Sequence, residues 1–199
     1  MGRRSVGDGW VGIRSTSGTS SRRCRAWLVR TPVPGGRVNV ARAWEVLATV
    51  PDPEVPVISV VELGIVREVQ VDADGAVEVV ITPTYSGCPA MFEIEKDVRT
   101  ALEAAGATAV SVRTVLSPAW TTDWIPESAR EKLRAYGIAP PGPAERGGLV
   151  SLVRARPPVP CPWCGSTQTT LQSEFGSTAC KAIHVCGSCR QPFDEFKAI

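Results

Sequence analysis

Two CxxC pairs near the end of the chain, Cys161-Pro-Trp-Cys164 and Cys186-Gly-Ser-Cys189, constrain its fold more than any other feature. Each pair turns back on itself, so both thiolates point at one ion. Two such knuckles supply the four sulfurs of a tetrahedral site. Gly165 and Gly187 fall where knuckle turns need a positive φ or a close backbone approach. The module, residues 159–199, has too small a core to fold by burial alone, so metal binding supplies much of its folding free energy. Structural zinc is the expected ion; iron or an iron–sulfur cluster uses the same four thiolates. A redox role for Cys161-Pro-Trp-Cys164 is disfavoured, because no strand-to-helix context surrounds it. A closed four-thiolate site leaves no open position for catalysis.

Seven cysteines is an odd number, and their spacing favours thiolates on a metal over disulfides. With no apolar core to an export signal, a reducing cytoplasm is the expected setting. Between the knuckles lie Cys180 and His184. His184 sits two residues from Cys186 and would strain a knuckle as a replacement ligand, so it is expected to be a surface or packing residue. Cys180 reads either as a buried small hydrophobe or as a redox-active thiol.

The rest of the chain separates by composition. Residues 1–37 are rich in Arg, Ser and Gly and are expected to be disordered, with Trp10, Cys24 and Trp27 incidental. They carry the excess positive charge, and the remainder is mildly acidic. A formal net charge of +2 argues against nucleic-acid binding by bulk electrostatics. No run of eighteen apolar residues exists, so no membrane span is expected.

Residues 38–138 pattern as a compact α+β domain, a small mixed sheet covered by helices. Val40 to Val50 has helical periodicity, with Val40, Ala43, Trp44 and Leu47 on one face. Ser59 to Val71 is rich in Val and Ile and reads as strand, interrupted near Leu63-Gly64. Asp72-Ala-Asp-Gly75 is a hairpin turn, and Ala76 to Thr82 the return strand. Pro89 to Ala105 reads as a helix striped by Met91, Ile94, Val98 and Leu102, with Gly106 at its end. Ala109 to Leu116 is a strand, and Pro126 to Tyr136 a last helix stopped by Gly137. Residues 139–158 form a linker dense in proline and glycine before the four-cysteine module.

Within this domain one cysteine stands out. Thr82-Pro-Thr-Tyr-Ser-Gly-Cys88-Pro lies where a strand meets a helix N-terminus. Unpaired N–H groups and the helix dipole there lower a thiol's pKa and make it a better nucleophile or metal ligand. A helix cap with an incidental cysteine is the bland reading. Thr84 is among the hydroxyls around it. Asp52-Pro-Glu54 and Glu62 are acidic candidates that read equally well as turn or surface carboxylates. Trp120 and Trp124 flank polar residues and read as a lid on the core or as a partner surface. The sole histidine lies in the metal module, so no Cys–His or Ser–His pair forms in the main domain and an independent enzyme is not expected.

Asp52-Pro-Glu-Val-Pro56, Glu62-Leu-Gly64 and Thr82-Pro-Thr-Tyr-Ser-Gly-Cys-Pro89 together resemble the SufT-like iron–sulfur assembly domain. Pro118-Ala-Trp-Thr-Thr-Asp-Trp124 and Ser173-Glu-Phe-Gly-Ser-Thr-Ala-Cys-Lys181 narrow the resemblance to the PaaD (also PaaJ) family, D-type components of bacterial phenylacetyl-CoA ring-epoxidase systems. The resemblance implies an accessory protein of aerobic phenylacetate breakdown. It would mature or insert an iron–sulfur or iron centre in the epoxidase's reductase or oxygenase subunits. It also implies that Cys88 handles iron or a cluster transiently, with Asp52, Glu62 and Thr84 around it, beside structural Zn2+ in the C-terminal module. The alternative is a structural or interaction subunit of the epoxidase complex that docks through Trp120 and Trp124. Either reading is compatible with a homodimer. The family pattern ends Phe-Lys-Cys-Ile; this chain has Phe196-Lys-Ala-Ile199, and so no penultimate cysteine to pair with Cys180.

Overall fold

The computed structural model describes residues 37–142 and 157–199. The expectations for residues 1–36 and for the middle of the linker lie outside the described residues.

Helix α1 spans Val40–Leu47 and opens on Asn39, whose side chain accepts the Arg42 N–H at 2.8 Å, satisfying one of the helix's orphan donors. Ala43, Val46 and Leu47 are buried, while Val40, expected on the inner face, is 44% exposed.

The stretch expected to be strand from Ser59 is largely not. Strand β1 is Val66–Val71 only. Ser59 Oγ accepts the Glu62 N–H at 3.1 Å, and Glu62 Oε2 accepts the Ser59 N–H at 3.0 Å. This reciprocal pair is a capping box. With Leu63 N–H donating to Ser59 O at 2.8 Å, it winds residues 59–64 into turns. The β-branched residues there pack inward from a turn, not from a pleat.

Strand β2 (Ala76–Ile81) returns antiparallel to β1 across the Asp72–Gly75 turn. Asp72 Oδ1 accepts the N–H groups of Asp74 and Ala76 and so ties the turn. Helix α2 (Met91–Ala104) then crosses to β3 (Ala109–Thr114), which pairs in parallel with β2. A parallel pair needs such a crossover. Val77, Val79 and Ile81 face Ile94, Val98 and Leu102 in one buried cluster; each such side chain contributes about 1.5–3 kcal/mol when fully buried. Helix α3 (Glu127–Tyr136) closes the domain and ends on Gly137.

The ribbon is a four-stranded sheet in the order β4-β7-β6-β5, where β4 is Ile138–Ala139, β5 Thr169–Ser173, β6 Lys181–Cys186 and β7 Pro192–Phe196. Strand β4 follows α3 directly and pairs in parallel with β7. Ala139, read from sequence as the start of a linker, is therefore part of the ribbon sheet. Gly137 makes this passage possible. Its φ is +94°, and a Cβ there would lie 2.3 Å from Trp163 Cζ2 of the first knuckle.

The ribbon also shares the domain's core. Phe196, 1% exposed, and Cys180 belong to the same buried cluster as Leu47 and Leu133. The Phe196 ring lies 6.1 Å from that of Trp120. Thr122 N–H and Thr121 Oγ1–H both donate to Ile199 O, at 3.1 and 2.8 Å. Among the described residues no helix is long and apolar enough to cross a membrane.

Candidate functional site

The sulfurs of Cys161, Cys164, Cys186 and Cys189 all lie within 4.8 Å of one another. Cys161 Sγ is 3.7 Å from Cys189 Sγ, and Cys164 Sγ 3.6 Å from Cys186 Sγ. A tetrahedral ion with bonds of about 2.3 Å sets sulfurs about 3.8 Å apart, close to these two separations, so the donor set suits zinc. The Cys189 N–H donates to Cys186 Sγ at 3.4 Å and, with the Ser188 N–H, pulls that thiol down to about 6 against burial. His184 is not a member of this set. It is buried, with Nε2 2.7 Å from Glu195 Oε2 and its ring stacked on Phe193 at 5.4 Å. The expected surface or packing residue is thus buried, pairing with Glu195 through Nε2 while Nδ1 has no partner among the described residues.

The second cluster forms at the junction between domain and ribbon. The Thr82–Ala90 loop leaves the end of β2 and enters α2, with Cys88 half-buried on its inner side. Thr84 is buried, and its hydroxyl and the Ala90 N–H favour the ionised Cys88 sulfur. The expectation of a lowered Cys88 pKa is not met. Burial pushes the thiol up, and the negative charges of Glu54 and Asp52 add to that; together they outweigh the Ala90 and Thr84 bonds.

Asp52 is buried at the start of the loop after α1. Its Oδ1 accepts the N–H groups of Glu54 at 2.9 Å and Val55 at 2.8 Å, which folds the Asp52–Ile58 loop. Burial raises its pKa despite these two bonds and Lys181. Glu54, its neighbour, points at the ribbon. Its Oε2 lies 3.8 Å from Cys180 Sγ, and its backbone O accepts from Lys181 Nζ at 3.3 Å. Burial and the Asp52 charge raise the Glu54 pKa against Lys181, Cys180 and Thr178. Cys180 is buried, 3.0 Å from Thr178 Oγ1, and its thiol is pushed up by burial and by the Glu54 charge.

Glu62 does not share this cluster's contacts. Its carboxylate caps Ser59 and pairs with Lys132 Nζ on α3 at 2.5 Å. Burial opposes ionisation, yet Lys132 and the Ser59 N–H hold its pKa below the usual value. Its geometry is that of a clamp between α3 and the 59–64 turns. Trp120 is 4% exposed and donates to Leu63 O at 2.9 Å, and Arg67 stacks over the half-buried Trp124 at 3.5 Å. The pair is a lid on the core.

Thr84, Glu54 and Asp52 all act on the Cys88 thiol, Cys180 lies beside Glu54, and Glu62 uses its carboxylate on Ser59 and Lys132. Glu54 is legible only as part of the Asp52-Pro-Glu54 string, and no spacing signal links Cys180 to Cys88.

An α+β domain with a cysteine loop at the entrance to α2 thus carries a four-cysteine metal-binding ribbon. Family comparisons give both parts a class. The iron–sulfur cluster assembly protein family matches residues 41–113, and the PaaD zinc beta ribbon domain matches residues 146–197. A protein of Escherichia coli (strain K12) named as the D-type component of 1,2-phenylacetyl-CoA epoxidase is 49% identical over 161 residues, 81% of this chain and 94% of that one. The chain belongs to this family of D-type epoxidase components. An Fe-S protein maturation auxiliary factor of Porphyromonas gingivalis is 41% identical over 44% of this chain and 83% of its own length. Among solved structures, a domain of unknown function (DUF59) from Bacillus anthracis is 27% identical over 47% of this chain and 89% of that chain, with a TM-score of 0.44.

Proposed function

We propose that this chain is an accessory protein that matures or inserts an iron–sulfur or iron centre in the reductase or oxygenase of a phenylacetyl-CoA epoxidase. The observation that carries this reading is Cys88: a half-buried thiol at the entrance to α2 whose ionisation Thr84 favours and the charges of Glu54 and Asp52 oppose. It lies in the part of the chain that matches the iron–sulfur assembly family. The name of the Escherichia coli relative supplies the client system, and that of the Porphyromonas gingivalis relative the maturation role.

Iron, alone or in a cluster, is cargo here. At rest burial and the two carboxylates keep Cys88 protonated. A bound cation replaces that proton, and the Thr84 hydroxyl and Ala90 N–H then stabilise the thiolate. Partial exposure lets a client's ligands reach the same ion and take it by exchange. Zinc in the ribbon is scaffold: four thiolates close its coordination, and its role is to hold the ribbon folded against the domain.

The test is Cys88→Ser in cells that express the whole epoxidase. The variant is expected to keep its fold and its zinc while the oxygenase or reductase accumulates short of iron. Fully loaded, active client proteins from those cells would refute the reading.

A further inference from the structure

The three-stranded sheet of the assembly domain, in the order β1-β2-β3, ends on β3 with no strand paired to its far side among the described residues. Just past the strand, the Val115 N–H donates to Ile81 O at 2.8 Å, which sets the alternation of the β3 backbone. Ser111 and Arg113 turn their N–H and C=O groups to β2, whereas Val110, Val112 and Thr114 turn theirs outward. Among the described residues, only the Val110 carbonyl of these outward groups has a partner, the Arg99 guanidinium of α2, and a carbonyl keeps a second lone pair.

Proteins commonly blunt such an edge. The other sheet edges here are blunted: β1 carries a bulge between Val66 and Glu68, β5 is irregular between Leu171 and Ser173, and β4 is two residues long. Strand β3 has six residues in unbroken register and no proline. Its one charged side chain, Arg113, is turned to Glu78 at 2.9 Å. Leu116, two positions past its end, is 62% exposed.

The flanking charges select the neighbour that fits. Along this edge Arg99 reaches Val110 near the start of β3, and Glu95 accepts from the Thr114 hydroxyl at 3.2 Å at its end. An antiparallel twin of β3 centred on Val112 sets Val110 opposite Thr114 of the second copy. Arg99 then meets Glu95 of the second copy, once on each side of the axis. On the other face Ser111 meets Arg113, so no like charges are opposed.

We infer that β3 pairs with β3 of a second copy, antiparallel about a twofold axis at Val112, so that three strands from each copy join into one six-stranded sheet. Such a contact is self-complementary and closes at two subunits. Backbone hydrogen bonds of Val110, Val112 and Thr114 hold it, and the Arg99–Glu95 pairs fix its register. It uses none of Cys88, Glu54 or Cys180, so it stands or falls apart from the proposed function.

The test uses full-length, reduced, zinc-loaded protein. Sedimentation over a dilution series should show a monomer–dimer equilibrium. Amide hydrogen exchange resolved by residue gives the fingerprint in wild type, where no misfolded variant can confound it. Val110, Val112 and Thr114 should exchange more slowly as concentration rises; Ser111 and Arg113, already bonded to β2, should not change. Glu95→Arg sets two arginines against each other and should weaken the dimer about tenfold or more. Adding Arg99→Glu reverses both charges and should restore it. Circular dichroism verifies the fold of each variant.

A monomer at every concentration overturns the inference, whether its outward amides are fast or are covered by another segment. A dimer whose outward amides stay fast also overturns it, because its contact lies elsewhere. So does a folded Glu95→Arg variant that dimerises as wild type. Protection of β3 that appears only when an epoxidase subunit is added assigns the edge to that partner and sinks the second copy.

Discussion

In the ribbon, Cys161, Cys164, Cys186 and Cys189 converge on one point and can satisfy one ion completely. At the junction, Cys88 and Cys180 stand among carboxylates and hydroxyls, with both thiols pushed up by burial. The first arrangement is closed; the second is half-open, with both thiols favouring the protonated form. Local chain geometry builds the first, since each CxxC knuckle is made by its own backbone. Only packing builds the second, because Glu54 and Cys180 lie 126 positions apart. The looser junction depends on the tight site, because the ribbon carries Cys180.

That dependence can be attacked directly. Removing the ribbon's metal with a chelator should have the largest effect, because zinc binding in such modules is worth about 10–16 kcal/mol of apparent free energy. The expected result is loss of the ribbon's structure together with exposure of Trp120, read as a red shift in tryptophan fluorescence. A ribbon that melts with no change at Trp120 would separate the two sites.

Phe196→Ala should come next, at about 3–5 kcal/mol, as for a fully buried aromatic ring. Urea unfolding followed by circular dichroism is expected to remain a single transition at lower midpoint, since the ring lies in the core shared by both modules. Two resolved transitions would mean that ribbon and domain unfold independently.

The smallest effect separates charge from shape at the looser junction. Asp52→Ala removes the acceptor of two loop N–H groups and should cost about 1–3 kcal/mol. Asp52→Asn keeps that acceptor and removes the charge. The raised Asp52 pKa means its favourable contribution is fully present below the ordinary value of 3.8 and is lost as pH rises through the folded pKa. Asp52→Asn should therefore match wild type at acidic pH and equal or exceed its melting temperature at neutral pH. It should also lower the pH at which Cys88 becomes half-maximally alkylated, with Glu54, Cys180, Tyr85 and Lys181 still facing the site. An unmoved alkylation profile would show that Asp52 does not set the Cys88 thiol.

Legibility in the sequence follows the same division. The CxxC spacing, the Asp72–Gly75 turn and the stripe Ile94, Val98 and Leu102 are short-range codes, and each appears where its local pattern puts it. The Ser59–Glu62 capping box is equally local, but the Val and Ile content around it outweighs it in the sequence and suggests a strand. Strand β4 is two residues long, too short for any periodicity to show. Glu54 and Cys180 carry no spacing signal, because tertiary docking alone brings them together.

The passage from α3 through Gly137 into β4 has one more consequence. The chain pairs Ile138 and Ala139 with β7 before it reaches the knuckles, so the connection between Pro140 and Pro160 starts and ends on one body. Such a connection is a closed loop, and doubling its length costs only about 0.6 kcal/mol. A nick in it should leave two fragments that stay together and still bind metal, like the halves of a split reporter. Cutting this chain in the middle should cost it less than removing its last four residues, Phe196 to Ile199.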